Sequence, residues 1–235
     1  MFNPRPEISR AALGPDAQCV VLDNVLSRPD SLLELAVQHA DAFAPASGNA
    51  FPGLELPLPP SAIEHFVELF ARHARQIIGA RRVLSAAGRL SMVTLPPASL
   101  SPIQRVCHRD RLAVDADQCA GAAVLYLFSD AMLGGTSFYR ARHDTQRTDA
   151  LMRHWSTLDG EEFSRETGWP SAYMTTSNEH FERIAIVEPR WNRLVFYDGS
   201  VFHSSHIEHP ERLSSRPAQG RLTLNLFFVC RRSAR

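Results

Sequence analysis

Two short stretches hold the residue types that do chemistry: QRVCHRD at 104–110 and NRLVFYDGSVFHSSHI at 192–207. In the first, His108 and Asp110 stand two apart. Side chains at i and i+2 of an extended segment share a face, so this imidazole and this carboxylate can close on one ion. A third donor has to come from elsewhere in the chain. His203 is well placed for it, just after LVFYDGS, where a buried strand runs into a turn. Two imidazoles and one carboxylate on one face of an octahedron bind non-haem Fe(II) and leave the other positions open for substrate and O2. A lone His-x-Asp arises often by chance, so the weight falls on its surroundings.

Those surroundings agree at several points. VLYLFSDAMLGGTSFYR follows the Asp, NRLVFYDGSVFHSS delivers the distal His, and GRLTLNLFF opens with Arg221 at the head of an alternating strand. In this order the motifs resemble the Fe(II)/2-oxoglutarate-dependent dioxygenases, in particular their prolyl-4-hydroxylase-like branch. The resemblance spans roughly residues 89–230, apart from an insert at 141–190. It implies that His108, Asp110 and His203 hold Fe(II) and serve as the catalytic centre, with 2-oxoglutarate as co-substrate and O2 as oxidant. Arg221 would pair with the distal carboxylate of 2-oxoglutarate, a bidentate task that a guanidinium suits. Tyr126 matches the tyrosine that hydrogen-bonds the same carboxylate. Asn225, on the Arg221 face of its strand, would line the co-substrate pocket or touch the substrate, and Thr136 matches a position facing the barrel interior. The carboxylate at Asp110 favours hydroxylation, or another oxidation, over halogenation.

Two departures from the pattern stand out. The usual YLN reads YLF here, with Phe128 in place of the Asn. The family's basic residue also lies nearer the distal His than Arg221 does, a spacing that Arg212 fits. Arg221 is the preferred anchor because it heads a strand, whereas Arg212 lies in the polar, Pro-containing loop HIEHPERLSSRPAQG. His206 and His209, in the same loop, are read as non-ligands. Other readings remain open: a cupin-like metal enzyme that does not use 2-oxoglutarate, or a non-catalytic β-sandwich recognition module.

The elements that must position these residues can be read from periodicity. CVVLDNVL (19–26) is a short apolar strand, and SRPDSLLELAVQHA (27–40) is an amphipathic helix with Ser27 as its N-cap. A Pro/Gly-rich loop (43–60) leads to a second helix over 61–78, with Ile63, Phe66, Val67, Phe70 and Ile77 in register. Strands follow at 89–97, 122–128, 134–140, 192–199 and 221–230, with a partly helical stretch at 148–168. Two early helices before many strands predict a mainly β fold with flanking α-helices, a double-stranded β-helix (jelly roll, cupin-like) core. The expected organisation is a single domain over 1–235. Residues 1–80 supply a strand and supporting helices, and 82–230 the core.

Composition narrows the function. Net formal charge is zero, from 25 basic and 25 acidic residues, which is not the footprint of a nucleic-acid binder. The basic residues are all Arg. Schiff-base and P-loop lysine chemistry are therefore excluded, and an anionic ligand must be held by Arg, His or backbone N–H groups. The four cysteines form no CxxC pair, and three of them lie in apolar runs, where they read as small core hydrophobes. No apolar run is long enough to cross a membrane. The expectation is a cytoplasmic enzyme acting on a small molecule or peptide, with no nucleic-acid or membrane partner.

Overall fold

The computed structural model describes residues 2–15, 17–45, 50–110 and 115–233. Among them the larger sheet comprises β1 (Glu7–Ala12), β2 (Gln18–Asp23), β3 (Ala44–Pro45), β4 (Gly53–Pro57), β5 (Ala80–Val93), β6 (Gln118–Tyr126), β9 (Arg193–Asp198) and β11 (Arg221–Arg232). The smaller sheet comprises β7 (Thr136–Ala141), β8 (Phe181–Val187) and β10 (Phe202–Ser205). Strand order is β1-β2-β9-β6-β11-β5-β4-β3 in the first and β10-β7-β8 in the second, with antiparallel pairing throughout. The two sheets close face to face as a double-stranded β-helix, as the alternating strands predict.

Alternation along β11 explains the layering. Leu222, Leu224, Leu226 and Phe228 point to one side, where they meet Leu90, Met92, Leu125 and Phe196 in a core capped by helix α2 (Pro60–His73). α2 lays Ile63, Phe66 and Phe70 onto this side, and the Phe70 ring stacks on Phe228 at 4.2 Å between centroids. On the opposite side of the large sheet, Ala122, Tyr126, Val195 and Tyr197 meet Phe138 and Val187 of the small sheet. Arg221, Thr223, Asn225 and Phe227 belong to this second, inner face by the same alternation.

Several expectations shift at the edges. The lead-in to residue 17 contains β1, which pairs with β2, and the 43–60 loop contains β3 and β4. β1 and β3 are the short, exposed edge strands of the larger sheet, and β4, beside β3, buries only Gly53 and Glu55, so none carries an apolar pattern to announce it. Ser27 is not the cap of the first helix. α1 (Asp30–Gln38) starts three residues later, with Pro29 at the N-cap position and no side-chain cap bond. The second helix stops at His73, and Arg75–Ile78 tightens into a 3-10 turn that ends at Gly79 in the left-handed region. Within 141–190, helices α3 (Thr145–Trp155) and α4 (Gly160–Thr167) precede β8. All four cysteines are buried thiols, one more than the three that lie in apolar runs.

One ion cluster locks β2 to β9. Arg193 donates to both carboxylate oxygens of Asp23, from Nε at 2.7 Å and Nη2 at 2.8 Å, and Arg190 adds a contact at 3.2 Å. The hydrogen bond from Arg193 holds the Asp23 carboxyl below its ordinary range. The folded carboxyl is thus the stronger acid. This stabilisation is present above the unfolded carboxylate pKa and is lost as pH falls through the lower folded value. Asp23→Ala should cost about 2 kcal/mol in urea denaturation at neutral pH, the scale of charge-assisted hydrogen bonds. The deficit relative to wild type should close as the measurement moves below the carboxylate range.

Candidate metal centre

The segment carrying His108 and Asp110 has no named strand of its own. It gains strand geometry by pairing with β10: His108 N–H donates to the His203 carbonyl at 2.9 Å, and His203 N–H returns the bond to the His108 carbonyl at 2.8 Å. Residues opposed in an antiparallel pair project to the same side. The two imidazoles therefore come together, with ring centroids 4.5 Å apart. Asp110 N–H bonds the Gly199 carbonyl at 2.9 Å, which keeps the segment extended through the second ligand. His108, Asp110 and His203 consequently offer ligand atoms that all lie within 4.8 Å of one another. Asp110 Oδ2 is 3.8 Å from His203 Nε2.

The residues fit a first-row divalent metal. The Asp110 Oδ2 atom is buried without a hydrogen-bond partner, a costly state for a carboxylate that a cation would relieve. His203 Nδ1 lies 2.9 Å from the Val201 carbonyl, so the proton sits on Nδ1 and the Nε2 lone pair faces the cluster. Tyr197 packs edge-on against that ring at 4.8 Å between centroids. Burial pushes His203 down to about 4. Burial also pushes His108 down to about 4, with the His203 ring the next cause, although His108 faces the open lumen and is the most accessible of the three. Burial raises the Asp110 carboxyl. Two neutral imidazoles and a desolvated carboxyl are the donors that such an ion takes.

The three residues sit in a cavity of about 490 Å3. Arg221 also lines it and is itself buried. Its Nε donates to the Gly134 carbonyl at 3.1 Å and its Nη2 to the Gly135 carbonyl at 2.7 Å. The outer Nη1/Nη2 edge has no further partner among the described residues. The two glycines are required by close approach. A Cβ on Gly134, at φ +79°, would fall 1.7 Å from the His206 carbonyl oxygen, and one on Gly135 would fall 2.0 Å from that of Val187. The GG of the sequence motif is thus the cradle that sets the arginine.

Thr136 and Asn225 line the same cavity. Tyr126 stops short of it: its ring is fully buried and its hydroxyl shares a 2.7 Å hydrogen bond with Thr136 Oγ1, so its reach to the cavity runs through Thr136. Arg212 is on the surface, paired with Asp130 at 2.6 Å. His206 is buried and bonds Ser137 Oγ at 2.8 Å, away from the triad, and His209 pairs with Glu211. Asp198 Oδ1 accepts from the Ser200 N–H, the turn contact read from DGS. Arg89, Tyr173, Tyr197 and Phe227 also line the cavity, and of these sequence reasoning missed Arg89 and Tyr197. For Tyr197 a signal existed, since it shares its strand face with Val195 and precedes the turn under Asp110. Tyr173 arrives from an irregular segment of the 141–190 insert, its hydroxyl tied to the Leu95 carbonyl at 2.6 Å.

Comparison with known proteins places this architecture. The non-haem α-ketoglutarate-dependent carbocyclase SnoK from nogalamycin biosynthesis superposes with a TM-score of 0.50 at 14% identity, over 92% of this chain and 81% of that one. A prolyl-4-hydroxylase of Pseudomonas putida is 17% identical over 97% of this chain and 93% of its own, at a TM-score of 0.42. HygX of Streptomyces hygroscopicus, crystallised with nickel and 2-oxoglutarate, is 13% identical over 92% and 84%, at 0.45. No curated protein matches in sequence. The likeness to SnoK is one of fold: both chains build the double-stranded β-helix. In sequence, residues 4–228 match the model of DUF6445, described as a family of unknown function, and the chain belongs to that family.

Proposed function

We propose that this chain is an Fe(II)/2-oxoglutarate-dependent oxygenase that hydroxylates, or otherwise oxidises, an amino-acid, peptide or small natural-product substrate. The observation that carries the reading is the convergence of His108, Asp110 and His203 in one cavity with the cradled guanidinium of Arg221. Fe(II) and 2-oxoglutarate bound there would supply the oxidising chemistry, in which O2 and 2-oxoglutarate are consumed, succinate and CO2 are released, and the substrate is oxidised.

The roles of the chain's own residues follow from their settings. His203 is held in one tautomer by the Val201 carbonyl and presents Nε2 as a donor. His108 presents its ring from the paired segment, and Asp110 supplies the negative charge that a divalent ion needs. Arg221, fixed by two carbonyls, offers its outer edge to the distal carboxylate of the co-substrate. Thr136 stands at the cavity wall with Tyr126 behind it, a hydroxyl pair that can extend one hydrogen bond to the same carboxylate. Tyr197 and Phe138 pack around His203 and keep water from its inner side.

Anaerobic addition of Fe(II) and then 2-oxoglutarate should raise a weak visible charge-transfer band, absent from His108→Ala and His203→Ala. Arg221→Met should lose the band while still binding the ion, and Arg212→Met should keep it. Bound iron with no band would remove 2-oxoglutarate from the reading, and failure to bind iron would remove the metal centre. A second expectation needs no turnover. A divalent ion that binds the folded state alone raises the melting temperature, so Ni(II) should stabilise the wild type, and chelation should reverse the gain. Asp110→Ala should show no such shift and should form no succinate. Succinate formation at the wild-type rate in that variant would take the carboxylate out of the site.

A further inference from the structure

Beyond the metal ligands, the charge lining the cavity is one-sided. Among the described residues, the guanidinium groups of Arg89, Arg109, Arg153 and Arg221 line it, against the single carboxylate of Asp110. Arg109 is paired with Asp149, and Arg153 is exposed at the mouth. Arg89 is held differently. Its Nε meets Glu55 Oε1 at 2.6 Å, and its guanidinium lies over the Phe227 ring, 4.5 Å from the centroid. A brace on one edge and an aromatic ring against one face fix the plane of the group. The outer Nη1/Nη2 edge has no further partner among the described residues.

Asn225 is the cross-strand neighbour of Arg89 in the β5–β11 pairing, on the same inner face. It lines the cavity, and its amide makes no hydrogen bond among the described residues. Glu55 is nearly buried. An ion pair in such a place is weak evidence for stability, because desolvation cancels much of the attraction. An unengaged guanidinium edge beside an unengaged amide, on the floor of a cationic cavity, is instead the donor set for a planar anion.

We propose that the substrate of this centre is a small molecule bearing a carboxylate, received by the outer edge of Arg89 and the amide of Asn225, with Glu55 and Phe227 holding the guanidinium in place. The assignment of this carboxylate to a substrate rests on the oxygenase reading, whereas the carboxylate subsite itself does not. Arg221 and Arg89 then divide two carboxylates between them: co-substrate at the first and substrate at the second.

The test is calorimetric binding to the full chain, both metal-free and loaded anaerobically with Fe(II) and 2-oxoglutarate. The probes are N-acetyl amino acids with side chains from Ala to Trp, each beside its primary amide. At least one acid should bind, and its amide should bind about tenfold more weakly or worse, the scale of a charge-assisted hydrogen bond. Arg89→Met combined with Glu55→Gln, which avoids leaving a buried charge alone, should weaken the acid by a similar factor. Asn225→Ala should weaken it too, and since that amide supports no other group among the described residues, this variant keeps the test decisive if the first fails to fold. The affinity for 2-oxoglutarate should depend on Arg221 and not on Arg89. Acids that bind no better than amides, or that bind the Arg89 and Asn225 variants as they bind wild type, overturn the subsite. So does a 2-oxoglutarate affinity that survives Arg221→Met but falls with Arg89. Acid binding that depends on Arg89 in a chain with no affinity for 2-oxoglutarate would keep the subsite and remove the oxygenase reading.

Discussion

The paired backbone hydrogen bonds between His108 and His203 are the constraint on which the rest of the site depends. A segment without a strand of its own is drawn onto the edge of β10, and the ligands are brought together by main-chain pairing rather than by a search among side-chain rotamers. Because side chains alternate, a slip of one residue at this seam would turn the donors to the opposite face. The Asp110–Gly199 bond extends the seam by two residues, and the bond from His203 Nδ1 to the Val201 carbonyl fixes the ring. Most of the ordering that a bound ion would otherwise have to impose is already present in the folded chain.

Electrostatics follow from the same enclosure. Burial lowers both imidazoles and raises the Asp110 carboxyl, whose Oδ2 has no hydrogen-bond donor among the described residues, so the desolvated carboxyl is a group that a bound cation would relieve. Three of the arginines around it are oriented by two kinds of device, backbone carbonyls or a carboxylate with an aromatic ring. Arg221 is set by the carbonyls of two glycines, Arg89 by a carboxylate and a ring, and Arg109 by Asp149 and the Phe202 ring. With no lysine in the chain, every fixed cation has the planar fork that such devices can orient.

Much of this was legible in the sequence because the decisive features are periodic. The two-residue spacing of His108 and Asp110, the alternation that puts Arg221 and Asn225 on one face, and the helical register of Ile63, Phe66 and Phe70 are local patterns with one physical meaning each. What escaped depends on partners remote in sequence. β1 and β4 are strands only because β2 and β5 pair with them. Arg89 looks like any surface arginine until the β5–β11 register sets it beside Asn225. Tyr126 and Thr136 were both legible as inner-face positions, but the hydrogen bond that places Tyr126 behind Thr136 was not. Ser27 has the right chemistry for a cap, but the Arg28–Pro29 stretch that follows delays the helix to Asp30.

The strands that carry the ligands have two faces. His108 and His203 look inward, while their neighbours Cys107 and Phe202 look outward into a core shared with Trp155, Phe163 and Phe181. The same segment is bolted at both ends: Arg105 to Gly160 and Ser164 of α4, and Arg109 to Asp149 of α3. Helices α3 and α4 therefore buttress the back of the ligand segment, and α3 also lines the cavity through Met152 and Arg153. Donor placement tolerates about half an ångström of play. The stiffness of the centre is therefore set in large part by a core packed behind the ligands rather than by the ligands themselves.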